Sequence, residues 1–522
     1  MWDFFFIKIS ELTMVKDASY ENVLNAFLQN FDSTKQEILK ESVEIAQDYS
    51  DFLHFYTLDV KPSVLVLGKS DEAKDFLDFI KTSKKHSYEA KLLLPQDIVA
   101  INGHLGDFEV KLKDEAESYH FAQIVLFYED EHLQRFMGCE NAGDYESAEA
   151  LMEVLDSRIG DYQYHNIIHY DSHKCQYHQR RPDKNGQGYC HQCADVCPTF
   201  GVTKDDSLME LQFSALDCIS CGACVMVCPS GSVQRDGYTK ESLYKIAKLY
   251  KGIVPVVLAQ ADLVLVDGID FKESLPLILA QPRMLNEVYL LSLIQESGAQ
   301  VVLFDRSGDM RLKESVDLIN AIFNQVYQKQ AIFLANDIQE LQSCILQATI
   351  QNNFYYTYYQ QHTEALRQIF SERLKFVVLD GDFGEVVSGG NTYGEVLVDK
   401  EKCTLCMGCV GACNVQSLSA GDFSLLHNPS LCTACGYCVD SCPENAISVD
   451  FGKIVLKSRW FEASVMASDS GFRCVECGKV FANTKAVEKI KNIMTPIFGN
   501  DATRLRTLEC CETCKVKVMF GV

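Results

Sequence analysis

Residues 403–443 decide how this chain is read: CTLCMGCVGACN at 403–414, a spacer, then CTACGYCVDSCP at 432–443. Cys403, Cys406, Cys409 and Cys413 are separated by two, two and three residues, and Cys432, Cys435, Cys438 and Cys442 repeat that spacing. This is the thiolate pattern of [4Fe-4S] sites. Three cysteines on one tight turn reach three irons of a single cube, while the fourth sits on a helical turn that points away. Structural zinc sites use pairs of CxxC rather than eight cysteines in two such runs.

The stretch resembles a bacterial two-cluster ferredoxin over residues 398–449. The resemblance implies that the fourth cysteine of each run crosses to the neighbouring cluster. Cys403, Cys406, Cys409 and Cys442 then hold one cluster, and Cys432, Cys435, Cys438 and Cys413 the other. The sequence departs from the ferredoxin pattern at Asn414, where proline is usual and would fix φ as the chain leaves the cluster. The departure removes no ligand.

Working outward, residues 218–233 read CISCGACVMVCPSGSV, with Cys218, Cys221, Cys224 and Cys228 at the same spacing. Upstream, Cys190, Cys193 and Cys197 fill the second, third and fourth places of a further run, but Gln187 stands where its first cysteine belongs. Cys175 is the substitute, with HQRRPDKNGQGY (178–189) looping out between. The crossover rule groups Cys175, Cys190, Cys193 and Cys228, then Cys218, Cys221, Cys224 and Cys197. The cysteine-run separations are alike in the two units, so they read as a duplication. Cys175 is the weakest of these ligands: without it the site is a three-iron form or takes a histidine from His173, His178 or His191. The plainer role for those histidines, and for the arginine-bearing insertion, is a solvated loop; the insertion's other reading is a docking edge.

The tail carries two further pairs, Cys474 with Cys477 and Cys511 with Cys514, and Cys510 alongside. Two CxxC pairs split by a helix-like segment resemble a zinc ribbon, and a fifth [4Fe-4S] cluster is the rival. Cys510 is a spare thiol or an alternative ligand.

The rest of the chain reads as mixed α/β. Amphipathic spacing at 20–50 predicts one or two helices (Val23, Leu24, Phe27, Leu28, Ile38, Val43, Ile45). SVLVLG at 63–68 followed by DEAKDFLDFI opens a βα unit. LGKS at 67–70 is not a phosphate loop, because Ser63 stands where the first glycine is needed. Strands are expected at 91–94, 107–112 and 122–127. INGHLGDFEVKL (101–112) is similar to a phrase in the large flavin subunit of heterodisulfide reductase, but no GxGxxG follows any strand, so flavin is not expected. In residues 240–380, apolar runs at 253–259, 263–266, 301–304 and 331–334 alternate with helix-like segments, one closed by Gly298, and predict a partly parallel sheet. Asp267, Asp270 and Asp305 follow strands, where the default is a cap or water. Cys344 reads as a core cysteine, and Cys139 has no assigned role. The tyrosine-rich NNFYYTYYQQH (352–362) fits core or interface packing.

This divides the chain into an N-terminal helical and α/β domain (1–165), a first two-cluster unit (166–236), a central α/β domain (237–395), a second two-cluster unit (396–452) and a C-terminal CxxC…CxxC module (453–522). A net charge of -24 over 522 residues repels nucleic acid and suits a basic face on a redox partner. Twenty-three cysteines in clustered form argue for a reducing, cytoplasmic setting over a disulfide scaffold. MWDFFFIKIS is too short to span a bilayer, and the internal Arg180–Arg181 pair lacks the apolar run of an export signal. Met14 is a second possible start. The expected function is electron transfer between donor and acceptor redox proteins. The alternatives are an oxidoreductase with its own substrate or flavin site, and a non-redox assembly factor.

Overall fold

The computed structural model describes residues 18–50, 55–113, 117–359, 364–390 and 392–521. The opening decapeptide, Met14 and residues 360–362 of the tyrosine-rich piece lie outside these.

The fold is mixed α/β, with its regular sheets set around the cysteine units. Ser63–Leu67 is β-branched and apolar without alternation, the pattern of a strand covered on both faces. It lies second in a parallel sheet ordered Glu89–Leu93, Ser63–Leu67, Gln123–Leu126, Cys139–Asn141. Helices Asp71–Lys81 and Ala148–Ser157 cover one face. The other face packs on an antiparallel sheet of Ile98–His104, Asp107–Leu112 and Tyr119–Phe121. Ser70, within LGKS, accepts from the Ala73 N–H as a helix cap, so this loop's polar group is already used by the fold.

The central layer is a wholly parallel sheet ordered Leu275–Leu279, Pro255–Ala259, Val301–Phe304, Ile332–Ala335. The strand expected at 263–266 is absent: that stretch is a turn in which Leu263 and Val266 are buried while Val264 and Leu265 are exposed. Burial three residues apart is helical spacing. The strand is Leu275–Leu279 instead. Helix Glu287–Ser297 ends where Gly298 takes φ 65°. It is buried on every side, and its Glu296 pairs with Arg373 of helix Leu366–Val378 at 2.8 Å, neither side chain more than 1% exposed. The N-terminal helices Ala18–Leu28 and Ser33–Asp48 pack on this central layer: Leu28, Leu39 and Ala46 join its core, and Phe27 meets Phe271. In the tyrosine-rich piece, Phe354 is buried and Tyr356 stacks on Phe376 at 4.1 Å, so it packs within the chain.

The first cysteine unit pairs Ile168–Tyr170 with Val233–Arg235 around the hairpin Val202–Asp205 and Glu210–Phe213. The second pairs Gly394–Val398 with Ile447–Phe451 around the hairpin Leu418–Gly421 and Ser424–His427. Each unit adds two short helices: Gln192–Val196 and Ala223–Met226, then Gly408–Ala412 and Tyr437–Asp440. Among the described residues, no helix is long and apolar enough to cross a membrane.

Candidate iron-sulfur and metal sites

Three of the cysteine runs share one turn. The residues on either side of the second cysteine are left-handed: Ser220 and Gly222, Leu405 and Met407, Ala434 and Gly436. Such a turn wraps backbone N–H groups around an anion. The Cys190 run is different, since His191 there has φ -131°. In the second unit the Ala434 N–H donates to Cys432 Sγ, two residues back, at 3.3 Å. The Tyr177 N–H does the same to Cys175 Sγ at 3.4 Å. Cys175 therefore has the local geometry of a first cysteine, although it lies outside the spacing pattern.

The thiols fall into four groups. Cys193 lies among Cys228, Cys190 and Cys175. Cys218 and Cys221 both have Cys197 as a neighbour, and Cys224 has Cys218, Cys221 and Cys197. Cys403, Cys406, Cys409 and Cys442 line one small cavity. Cys438 lies among Cys432, Cys435 and Cys413. In each group the fourth member comes from the other run. Burial pushes the Cys190 and Cys218 thiols up to about 12, and Cys409 and Cys432 up to about 11, in each case with other cysteines adding to the rise. Such thiols stay neutral unless a metal displaces the proton.

The surroundings fit an anionic group. The buried Tyr170 hydroxyl is directed at the Cys175 sulfur, with Cys193 and Cys228 beyond. Arg235, 2% exposed, stands beside Cys218 and Cys221 with its Nε unpartnered. Arg367, 3% exposed, stands near Cys432 with Nε and Nη1 unpartnered. Each arginine gives one bond to a backbone carbonyl, Arg235 to Asp236 and Arg367 to Thr392, but a buried cation without a countercharge is costly, and an iron-sulfur cluster held by the neighbouring thiolates would supply that charge. Sequence reading found the cysteines but none of these three, because no spacing links them to the runs.

The other predicted residues take plainer roles. His191 pairs with Asp195 at 2.7 Å, and no histidine is among the cysteine neighbours named above. Asp270 pairs with Lys272, Asp305 accepts from the Ser307 N–H, and Asp267 accepts from Asn30. Cys344 is half-buried on helix Ile338–Gln347 and Cys139 is buried in its strand. The insertion 178–189 is a largely exposed loop, as expected, but Arg180 and Arg181 on it both bond to the second unit. Asn414 likewise bonds to the first unit, at the carbonyls of Lys174 (3.2 Å) and Cys175 (3.4 Å). A proline there would lose both bonds.

At the C-terminus, Cys474, Cys477, Cys511 and Cys514 have sulfurs within 4.8 Å of one another, the one such tight group of metal-ligating side chains among the described residues. Cys477 and Cys511 are 3.7 Å apart. Four sulfurs about 2.3 Å from one tetrahedral ion stand roughly 3.8 Å apart. A cube of four irons holds its thiolates further from each other, so this group fits a single ion. Burial opposes ionisation of Cys474, but N–H groups of Cys511, Cys477 and Glu476 outweigh it and bring the thiol down to about 6. Cys510 stands outside the group, its Sγ donating to the Arg506 carbonyl at 3.2 Å.

Residues 188–232 match the family model of a 4Fe-4S dicluster domain, and residues 425–448 that of a 4Fe-4S binding domain. No curated protein matches the chain. Neither matched segment includes Cys175, the cysteines at 403–413 or the phrase at 101–112.

Proposed function

We propose that this chain is an electron-transfer protein carrying four [4Fe-4S] clusters and one zinc ion, working between a donor and an acceptor redox protein in a reducing, cytoplasmic compartment. The ligands are Cys175, Cys190, Cys193 and Cys228; Cys218, Cys221, Cys224 and Cys197; Cys403, Cys406, Cys409 and Cys442; and Cys432, Cys435, Cys438 and Cys413. Zinc takes Cys474, Cys477, Cys511 and Cys514. The observation that carries the reading is the sorting of sixteen thiols into four groups, each completed by a cysteine from the partner run, with eleven of the sixteen inside the two segments that match 4Fe-4S domains. Bound clusters supply one-electron redox chemistry; the protein sets their potentials through hydrogen bonds, burial and charge. Buried Arg235 and Arg367 stabilise the more negative, reduced form of the groups beside them. The acidic chain meets its partners through a basic face on theirs.

Anaerobically purified protein should be brown and should bleach on stepwise addition of dithionite or titanium(III) citrate. Clusters that no physiological potential reduces would count for a structural role instead. One observation favours a second reading, an oxidoreductase with its own small-molecule site: a cavity beside Cys228 is lined by Arg367, Tyr393, Arg311 and Asn286. An organic cofactor or a substrate-dependent bleaching found in the pure protein would select it.

A further inference from the structure

The segment between Cys175 and Cys190 is the longest departure from ferredoxin spacing, and four of its side chains, Gln176, Arg180, Arg181 and Tyr189, reach the second unit. Gln176 Nε2 donates to Thr433 Oγ1 at 2.5 Å. Arg180 Nη1 donates to the Ala412 carbonyl and Arg181 Nη2 to the Asp440 carbonyl, each at 2.7 Å. Ala412 and Asp440 are the last residues of the helices Gly408–Ala412 and Tyr437–Asp440. Two adjacent guanidinium groups therefore satisfy carbonyls that both helices leave open, at the ends where a cation is favoured. The Tyr189 hydroxyl donates to Asp440 Oδ2 at 2.7 Å, and its ring meets Tyr437 edge-on at 4.9 Å. The Arg180 guanidinium lies over the Tyr437 ring, 4.9 Å from its centre. Asn414 closes the junction from the other side.

Across this junction the cysteine groups form a series. Cys224 has Cys193 as a neighbour, Cys190 has Cys435, and Cys438 has Cys409. The order is the Cys218 group, the Cys175–Cys190 group, the Cys435 group, then the Cys403 group, where Cys406 is exposed.

We propose that residues 176–189 are a built-in dock that joins the two cysteine units into one electron path, with the Cys190 and Cys435 groups as its junction and the Cys218 and Cys403 groups as its ends. The inference rests on the electron-transfer reading above. The exchange moves one electron from one group to the next, with no bond made or broken and no proton required; a one-electron donor outside the chain supplies it. Two separate ferredoxin-like proteins meet only briefly, whereas here the docking surface is covalently tethered and holds at all concentrations.

The test uses the full chain, purified anaerobically and fully reduced. In C221S/C406S, which removes an outer ligand at each end, the two inner groups should give a split EPR spectrum from spin–spin interaction. Adding R180A, R181A and Y189F should replace it with two independent signals at unchanged iron content. Independent signals with the dock intact, or splitting that survives its loss, would overturn the proposal and leave the electron-transfer reading standing. Should C221S/C406S fail to load iron, R180A/R181A/Y189F in the otherwise unaltered chain must still narrow the fully reduced spectrum; an unchanged spectrum overturns the dock. An iron-free wild-type chain overturns both.

Discussion

Cys175 shows how far a single residue can sit from its motif and keep the motif's geometry. The N–H of the second residue onward reaches its sulfur as it does at Cys432. Cys175→Ser should cost one to four irons per chain and leave the other three groups intact, whereas Cys344→Ser should leave the iron count unchanged; iron analysis with EPR checks both. Cys175 was legible only by elimination, from the glutamine at 187. The charges that complete the sites were not legible at all: Arg235 and Arg367 reach their groups through the fold. His427 is a third residue whose role is set by the fold rather than by spacing. It is 1% exposed, accepts from the Val396 N–H at 3.0 Å, and burial lowers its pKa to about 4. The unfolded chain binds a proton here from about pH 6.5 downward that the folded chain refuses. Stability should therefore fall as pH drops from about 6.5 toward 4, by about 3 kcal/mol from this group, and change little from it above pH 7. Thermal unfolding at pH 7 and pH 5 should show the loss, and His427→Gln should flatten it.

Among the elements, the parallel sheets were the most legible, because runs such as Ser63–Leu67 and Val301–Phe304 are apolar throughout and end in turn residues. Residues 263–266 look the same in sequence and are not a strand. Two of their four apolar side chains face solvent, and no window of four residues separates a strand from one helical turn. Leu275–Leu279 was missed because Pro276 argues against a strand; its position beside one neighbour only, at the sheet edge, accommodates it. The ion pair between Glu296 and Arg373 ties two helices that periodicity alone could not place side by side. Breaking a buried pair leaves one charge unpaired and costs about 3–5 kcal/mol. Glu296→Gln should destabilise the central layer by an amount of that order in chemical denaturation, while E296Q/R373M should recover part of it.

Across the whole molecule, the two N-terminal helices pack on a layer more than two hundred residues away in sequence, as Asn30 bonding to Asp267 illustrates. Linear reading groups them with the sheet that follows; packing alone assigns them. The second long-range lesson is the join between the cysteine units, where an insertion that reads as solvent-facing carries the contacts. The C-terminal foursome takes no cysteine from either unit. Chelation of the zinc proposed there should expose residues 471–521 to proteolysis with no loss of brown colour, since folding of small thiolate sites depends on the metal.

Four cubes and one lone ion on a single chain have a fixed stoichiometry. Iron, acid-labile sulfide and zinc measured together on anaerobically purified protein read it out. Roughly sixteen irons, a matching amount of sulfide and about one zinc per chain are expected. About eight irons would remove one cysteine unit from the path, about twenty irons without zinc would place a fifth cluster at the C-terminus, and a colourless, iron-free protein would contradict the account altogether.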